Sequence, residues 1–299
     1  MRLGGSSFSS DMLSGPETAI MDIKALAREK KFGEMETAVY ADRSLVGQLV
    51  ELLGEKDGDV RTGVLNVLSR VGFDYPQDTR PYIDKLIALM SEADPFVKID
   101  AANAVGNLAY RYEDASKKAV PKLALLLDHE VSLVRQEAAY ALGNIGFSFI
   151  NLVKDLTPRL VAMLESGDDD EREAAAHALG KLGIIEPQMI RGILPKLVEV
   201  LEFSKEASCG GVLFALGAIG LHYPKEVANL VPRLITYLDS GHPNAVKNAI
   251  AALGNIGSST PDAVKDAIPK IRQHLESSDL DVRMNAKVAL GRLGDPAGM

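Results

Sequence analysis

The stretch VPKLALLLDHEVSLVRQEAAYALGNIG, residues 120–146, has a proline near its start, a polar turn at its centre and a helical pattern of apolar residues after the turn. These apolar residues follow one another at intervals of 4, 3, 1 and 3, which places them on one face of a helix. They are Val134, Ala138, Ala141, Leu142 and Ile145. The stretch therefore predicts two helices joined by a short turn, with this face of the second helix buried.

The same arrangement recurs along the chain at an interval of 37 residues. One proline column is Pro121, Pro158, Pro195, Pro232 and Pro269; a second is Pro76, Pro187, Pro224 and Pro261; an apolar column is Leu68, Val105, Leu142, Leu179, Leu216, Leu253 and Leu290. A unit of this length hides only part of its apolar surface alone, so neighbouring units must stack. The interval predicts an all-α array of seven helix pairs over residues 44–299, forming one elongated domain.

Within each unit the second proline column marks the start of the first helix, helix A, and the first column falls inside it. Because an interior proline removes a hydrogen bond and bends a helix, we expect a kinked helix A in repeats three to seven. The second helix, helix B, has an aspartate as candidate N-cap in four repeats. These residues are Asp57, Asp94, Asp168 and Asp279.

A column of glycines lies near the end of helix B, where each glycine costs about 1 kcal/mol relative to alanine. Its members are Gly106, Gly143, Gly180, Gly217, Gly254 and Gly291. A stabilising contact must offset this cost, and close approach of neighbouring B helices would provide one. The column therefore predicts tight packing between B helices of successive repeats.

The two ends of the chain depart from the repeat. Residues 1–16 are rich in glycine and serine and are expected to form a flexible tail. Residues 17–43 are expected to supply an amphipathic capping helix over 17–31, ended by Gly33, and the start of the first repeat helix. No polar capping helix follows the last helix B, which leaves an edge that could self-associate or meet a partner.

Composition limits the class of partner. A net charge of −8 and a pI near 5.3 disfavour nucleic acid, because binding to phosphates depends on lysine and arginine. A single cysteine, Cys209, is typical of a reducing compartment. No apolar run approaches the length of a membrane span, which is about 18 residues or more. The sequence thus predicts a soluble, cytoplasmic protein without a membrane partner.

At residues 120–146 the chain resembles a HEAT repeat, and related segments extend over residues 44–299. The resemblance, which is also armadillo-like, implies a right-handed superhelix whose B helices line a concave surface and a role as a scaffold or adaptor for protein partners. It further implies a ladder of basic residues near the start of helix B that pair with acidic groups between repeats. The matching positions are Arg61, Lys98, Arg135, Arg172 and Arg283, with departures at Cys209 and Val246.

Two rows of residues are expected on the concave face of the B helices. The first row is Asn103, Tyr140, His177 and Phe214, and the second row is Asn107, Asn144, Lys181 and Asn255. Amide side chains offer both donors and acceptors, so asparagines beside aromatic rings could hold the backbone of an extended peptide. The segment ALGNIG also resembles the armadillo helix whose asparagine binds peptide main chain. The other interpretation is that these are ordinary solvated positions of the repeat.

The remaining chemistry-bearing residues give weaker patterns. The five histidines lack the spacing of a zinc-binding helix, and the pair His129 and Glu130 stands alone. We therefore predict no catalytic, cofactor or metal site and a protein that is not an enzyme. The alternative is a HEAT-type enzyme that resembles a bilin lyase or a hydroxylase.

At Ser208–Gly211 small residues interrupt the start of helix B. This pattern favours a delayed helix start over a reactive thiol at Cys209.

Overall fold

The computed structural model describes residues 22–298, and every regular element in that range is helical. Two helices precede the repeats: α1 (Ile23–Arg28) and α2 (Phe32–Ala41). Repeats one to three contain α3 (Val46–Leu52) and α4 (Gly58–Asp74); α5 (Pro76–Thr79), α6 (Ile83–Leu89) and α7 (Pro95–Leu108); α8 (Glu113–Leu126) and α9 (Ser132–Ser148). The tail predicted over residues 1–16 lies outside the described range.

Repeats four to seven continue the same order without an insertion. They contain α10 (Ile150–Val153), α11 (Thr157–Met163) and α12 (Asp169–Ile185); α13 (Gln188–Arg191), α14 (Leu194–Phe203) and α15 (Gly210–His222); α16 (Pro224–Val227), α17 (Val231–Thr236) and α18 (Pro243–Gly257); α19 (Pro261–Val264), α20 (Ile268–Gln273) and α21 (Leu280–Arg292). The B helices are α4, α7, α9, α12, α15, α18 and α21. The chain is an α-solenoid of stacked helix pairs, as the period predicts.

The predicted caps of the B helices are confirmed. Asp57, Asp94, Asp168 and Asp279 each occupy the N-cap position and accept hydrogen bonds from backbone N–H groups of the first turn. These bonds satisfy donors that a helix start leaves without partners. The apolar face read from residues 134–145 is also confirmed, because all five of its side chains are buried in the core.

The expectation of a kinked helix A is wrong for repeats four to seven. Only Pro121 lies inside a helix, in α8. Pro158, Pro195, Pro232 and Pro269 instead stand in the first turn of a second, separate helix. In that position the missing N–H group of proline needs no partner. Helix A is therefore broken into two helices and not bent. In three of these repeats a short 3₁₀ turn joins the two helices.

Close contact between B helices at the glycine column is confirmed. A Cβ atom added at Gly106 would lie 2.7 Å from the Cα atom of Ala141, and one at Gly143 would lie 2.8 Å from the Cα atom of Ala178. Gly180, Gly217 and Gly254 meet the next B helix in the same way. The A helices of neighbouring repeats touch only sparsely. The B layer is therefore the more tightly packed of the two.

The N-terminal cap differs from its prediction. The helix expected over 17–31 is described only as α1 (Ile23–Arg28), and it ends where Lys30 adopts a φ of 57°. Gly33 does not end a helix, because α2 begins one residue before it. The Phe32 side chain at the start of α2 lies against Gly63 of α4, so α2 covers the outer face of the first B helix.

The implied basic ladder is present only in part. Arg61 Nε donates to Asp100 of the next repeat at 2.8 Å, and Arg135 pairs with Glu171 of the next repeat. Lys98 lies beside His129, and Arg172 pairs with Asp169 of its own helix. A more regular bond links the arginines to the turn before helix B. Arg61, Arg135, Arg172 and Arg283 each donate to the backbone carbonyl six residues earlier.

Repeat five shows the delayed helix start that its small residues indicate. A 3₁₀ turn, Glu206–Ser208, takes the place of the first helical turn, and α15 begins at Gly210. A Cβ atom added at Gly211 would lie 2.1 Å from the backbone oxygen of Glu173, so a larger residue does not fit there. Cys209 is buried, and burial raises the pKa of its thiol. This raised pKa opposes thiolate formation at neutral pH.

Candidate functional site

The first row forms an aromatic stack across three successive B helices. The Tyr140 and His177 ring centroids are 5.3 Å apart in an edge-to-face arrangement, and those of His177 and Phe214 are 4.9 Å apart and nearly parallel. Aromatic contacts of this kind add stability beyond the area they bury. Asn103 does not join the stack; its Nδ2 atom donates to Glu137 at 3.0 Å.

The second row is a chain of hydrogen bonds that runs between repeats. Lys181 donates to the side-chain oxygen of Asn144, Asn144 Nδ2 lies 3.5 Å from the oxygen of Asn107, and Asn107 Nδ2 donates to Asn103 at 2.7 Å. Through Asn103 the chain ends on the carboxylate of Glu137. The chain begins at the ammonium group of Lys181 and ends at the carboxylate of Glu137. Each side chain along it donates to the next.

The amides of this chain keep capacity for a ligand. An asparagine side chain has two N–H donors and an oxygen with two lone pairs. Within the chain, Asn107 and Asn144 each use one donor and one acceptor position. Each therefore has one N–H group and one lone pair left. These are the groups that a peptide backbone would need for one acceptor and one donor of its own.

Asn255 does not join this chain. Ala218 occupies the intervening position in repeat five, and the Asn255 amide donates to the backbone oxygen of Gly217 at 3.0 Å. Its side-chain oxygen accepts from Arg292 of repeat seven. The structure thus brings together seven of the eight predicted residues in repeats two to five and places Asn255 beyond them, in a second polar group.

A third row, which sequence reasoning missed, runs beside the second. It is apolar and consists of Phe73, Tyr110, Phe147, Ile184 and Leu221, spaced at the repeat interval of 37 residues. Phe73 is 67% exposed and Phe147 is 45% exposed. The interval itself could have revealed this row, because each member stands three residues after the asparagine column.

The second and third rows line one groove. Asn107, Tyr110, Asn144, Phe147 and Lys181 surround a depression of about 300 Å³. Towards repeat one the groove continues past Phe73 and Asn107. Towards repeat seven lies a separate apolar pocket of about 290 Å³, lined in part by Phe214, Leu221 and Val288. The asparagines and the apolar side chains stand three residues apart on the same helices, so they lie side by side along the groove.

Burial perturbs the charged groups around the aromatic stack. It raises the pKa of Glu137 and of Glu173 and lowers the pKa of Lys181. It also raises the pKa of the Tyr140 hydroxyl, with the nearby carboxylates adding to the effect. All four groups are partly withdrawn from water, and of these Lys181 lines the groove, where burial strengthens its electrostatic interaction with a ligand.

His177 lies between the other two rings of the stack. Burial, followed by the charges of Lys181 and Lys247, lowers the pKa of its imidazole to about 4. Its Nδ1 atom is buried without a hydrogen-bond partner. At neutral pH the ring is uncharged, so it acts as an aromatic surface between Tyr140 and Phe214.

Residues 22–298 contain neither a metal-binding cluster nor a membrane-spanning helix. In this range no group of three or more His, Cys, Asp or Glu side chains lies close enough together to hold a metal ion. No helix of the same range is long and apolar enough to cross a bilayer.

Two solved structures are similar to the chain in fold. The chain is similar to an engineered protein, a target of the Northeast Structural Genomics Consortium, with 26% identity over 91% of this chain and 74% of that chain and a TM-score of 0.53. It is also similar in fold to the complex of CpcE and CpcF of phycocyanin lyase from Nostoc sp. PCC7120, with 24% identity, coverage of 71% and 77%, and a TM-score of 0.51.

Comparison of the sequence with protein families identifies the repeat. A search of curated proteins gave no match. A family model described as HEAT repeats matches residues 83–180 and 231–298, which together make up more than half of the chain. The helix pairs, their caps and their close B layer agree with that match. The chain belongs to the HEAT repeat family.

Proposed function

We propose that this protein is a non-catalytic scaffold or adaptor that captures an extended segment of a protein partner on the inner face of its B helices. The observation that carries the proposal is the groove between the second and third rows. There, the amides of Asn107 and Asn144 have unused donors and acceptors and lie beside apolar side chains that recur at the repeat interval. This pairing suits a peptide, whose backbone is polar and whose side chains can be apolar.

The spacing of the rows suits an extended chain. Neighbouring helices pack about 8–10 Å apart and an extended chain advances about 3.3 Å per residue, so one repeat spans about three peptide residues. An asparagine in each of two successive repeats can then contact backbone groups three residues apart. The apolar pocket near Phe214 and Leu221 would take a large apolar side chain further along the same peptide.

The groove is also prepared for binding before a ligand arrives. The hydrogen-bond chain holds the asparagines in place, and the stacked rings of Tyr140, His177 and Phe214 order the neighbouring row. A surface whose side chains are already ordered loses less conformational entropy on binding.

The acidic net charge disfavours nucleic acid as a partner, and this stays a prediction.

The test is a selection from a library of random linear peptides with the wild-type protein as bait. We expect enriched peptides to bind the wild type and to lose binding to a Tyr140→Ala, Asn144→Ala, Phe214→Ala triple variant. A double variant at exposed positions, Asn107→Ala with Phe147→Ala, should lose most of the binding while keeping its fold. Binding is measured by fluorescence polarisation of the labelled peptides, and folding by circular dichroism.

The control variant instead removes exposed apolar side chains from the A helices. Leu125 in α8 and Phe203 in α14 are 74% and 75% exposed. A Leu125→Ala, Phe203→Ala variant should bind the selected peptides as the wild type does. Equal binding by the inner-face double variant and the wild type would show that the groove is not the binding site.

A further inference from the structure

The apolar pocket near Phe214 exists because alanine replaces a larger residue in two of the rows. Ala218 takes the place in the second row that Lys181 holds one repeat earlier. Ala251 takes the place in the first row that Phe214 holds one repeat earlier. Both alanines line the pocket of about 290 Å³. The space that their short side chains leave is the pocket itself.

The pocket combines apolar side chains with a small set of polar ones. The apolar side chains include Ile184, Phe214, Leu221 and Val288, and the polar ones are Asn248, Asn255, Asn285 and Arg292. The lining residues all lie between positions 184 and 292, and none of them is acidic. Arg292 is the one charged residue among them. The pocket is therefore apolar with a single positive charge, although the protein as a whole is acidic.

The guanidinium of Arg292 is held in place without being neutralised. Its Nη1 atom donates to the side-chain oxygen of Asn255, and within residues 22–298 it forms no ion pair with a carboxylate. Arg70 stands in the same column in repeat one, but there Nη1 donates to Glu36 at 2.6 Å. The charge that repeat one satisfies internally is thus available to a ligand in repeat seven.

The polar groups of the pocket have more unused donors than their contacts within the chain require. Arginine has five N–H groups, and one of those of Arg292 is used on Asn255. Asn255 uses one amide N–H on the backbone oxygen of Gly217 at 3.0 Å, and Asn285 uses one on that of Asp281 at 2.8 Å. Each asparagine has a second N–H group left. This supply of donors beside a positive charge favours an anion with acceptor oxygens.

We infer that the pocket takes the C-terminal residue of the partner's extended segment, with its apolar side chain against Phe214 and Leu221 and its carboxylate on Arg292. The inference rests on the proposed function, because it names the part of the bound segment that enters the pocket. The two oxygens of a carboxylate match the parallel N–H groups of a guanidinium. Capture of a C-terminal carboxylate is a recurring mode of peptide recognition.

The size of the pocket favours a chain end over other anions. Its volume of about 290 Å³ lies at the lower end of the range for ligand pockets, about 300–1,000 Å³, and suits one residue better than a cofactor. At a C terminus the carboxylate is bonded to the carbon atom that carries the side chain. One residue then supplies both the apolar group and the charge. An internal aspartate or glutamate would need a second residue to make the apolar contact.

Two small probes test the pocket separately from the groove. N-acetyl-leucine carries an apolar side chain and a free carboxylate, and N-acetyl-leucinamide lacks only the charge. Binding is followed by NMR of the methyl groups of Ile184, Leu221 and Val288, which line the pocket. We expect N-acetyl-leucine to bind with a Kd of about 1–10 mM, as suits a ligand of few atoms. The amide should bind about 10- to 100-fold more weakly, because it loses a charge-assisted bond.

Three variants assign the binding to the named groups. Arg292→Gln should bind N-acetyl-leucine as weakly as the wild type binds the amide. Lys287→Gln removes the same charge from an exposed position of α21 outside the pocket lining and should bind as the wild type does. Ala251→Phe should fill the pocket and abolish binding of the acid. Circular dichroism checks that all three are folded. Equal binding of acid and amide, unchanged binding of the acid by Arg292→Gln, or no methyl shift at about 50 mM acid would overturn the inference.

Peptides selected from a library with free C termini distinguish this inference from the proposed function. Resynthesised with a C-terminal amide, they should bind the wild type about 10- to 100-fold more weakly and bind Arg292→Gln equally in both forms. Peptides that keep their affinity after amidation would overturn capture of the C terminus and leave the groove as the binding site. Binding of N-acetyl-leucine without binding of any peptide would show that the occupant is a free apolar acid, which overturns both.

Discussion

Gly143→Ala destabilises the protein, whereas Gly192→Ala leaves it equally stable or makes it slightly more stable. Alanine gains about 1 kcal/mol over glycine in a helix, so helix propensity alone would favour the change at 143. The added Cβ atom at 143, however, would lie 2.8 Å from the Cα atom of Ala178, which belongs to the backbone of α12. Because backbone atoms cannot rotate away, α9 and α12 must separate, at a cost of about 1–3 kcal/mol or more.

The control isolates this clash from helix propensity. Gly192 ends α13 with a φ of −68°, and nothing lies within 4 Å of an added Cβ atom there. The two variants are compared by their midpoints of unfolding in urea, followed by circular dichroism. Equal midpoints for Gly143→Ala and Gly192→Ala would mean that close B-helix packing is not needed for stability.

Acidification from pH 7 to pH 4 destabilises the wild type more than a His177→Phe variant. The pKa of His177 falls from an ordinary 6.5 to about 4 in the folded protein. Between these values the unfolded chain binds the proton and the folded chain does not, so stability falls as the pH falls through this window. The difference corresponds to about 3 kcal/mol at pH 4.

Phenylalanine at 177 keeps an aromatic ring between Tyr140 and Phe214 but cannot take up a proton. Glu137 and Glu173, whose pKa values burial raises, change stability in the opposite direction as the pH falls. Their contribution is present in both proteins and cancels in the comparison. Parallel stability profiles of the wild type and His177→Phe from pH 7 to pH 4, measured by urea unfolding, would contradict a buried neutral imidazole.

Features that depend on the repeat interval could be predicted from the sequence. The aspartate caps act within one turn of their own helix, and the glycine column reports a contact that recurs in every repeat. Helix A is not predicted correctly, because joining the two proline columns into one helix puts Pro158 in a helix interior, whereas proline fits the first turn of a separate helix without losing a hydrogen bond. The structure resolves the choice through the 3₁₀ turn before it.

The sequence predicts which residues lie at the candidate site but not how their side chains interact. The columns of Tyr140 and Asn144 follow from helical geometry. That Asn103 pairs with Glu137, or that Lys181 completes the hydrogen-bond chain, depends on side-chain conformations between repeats, which the interval does not specify. The third row follows from the same interval, because Phe147 and its counterparts stand three residues after the column of Asn144.

Photo-crosslinking is the most direct test of a peptide groove on the inner face. A peptide selected against the wild type, carrying a benzophenone group, is irradiated in complex with the protein, and the linked residues are mapped by mass spectrometry. We expect links to the third row, at Tyr110, Phe147 or Leu221. Links confined to the A helices, around Leu125 or Phe203, would contradict the assignment of the binding site to the B helices.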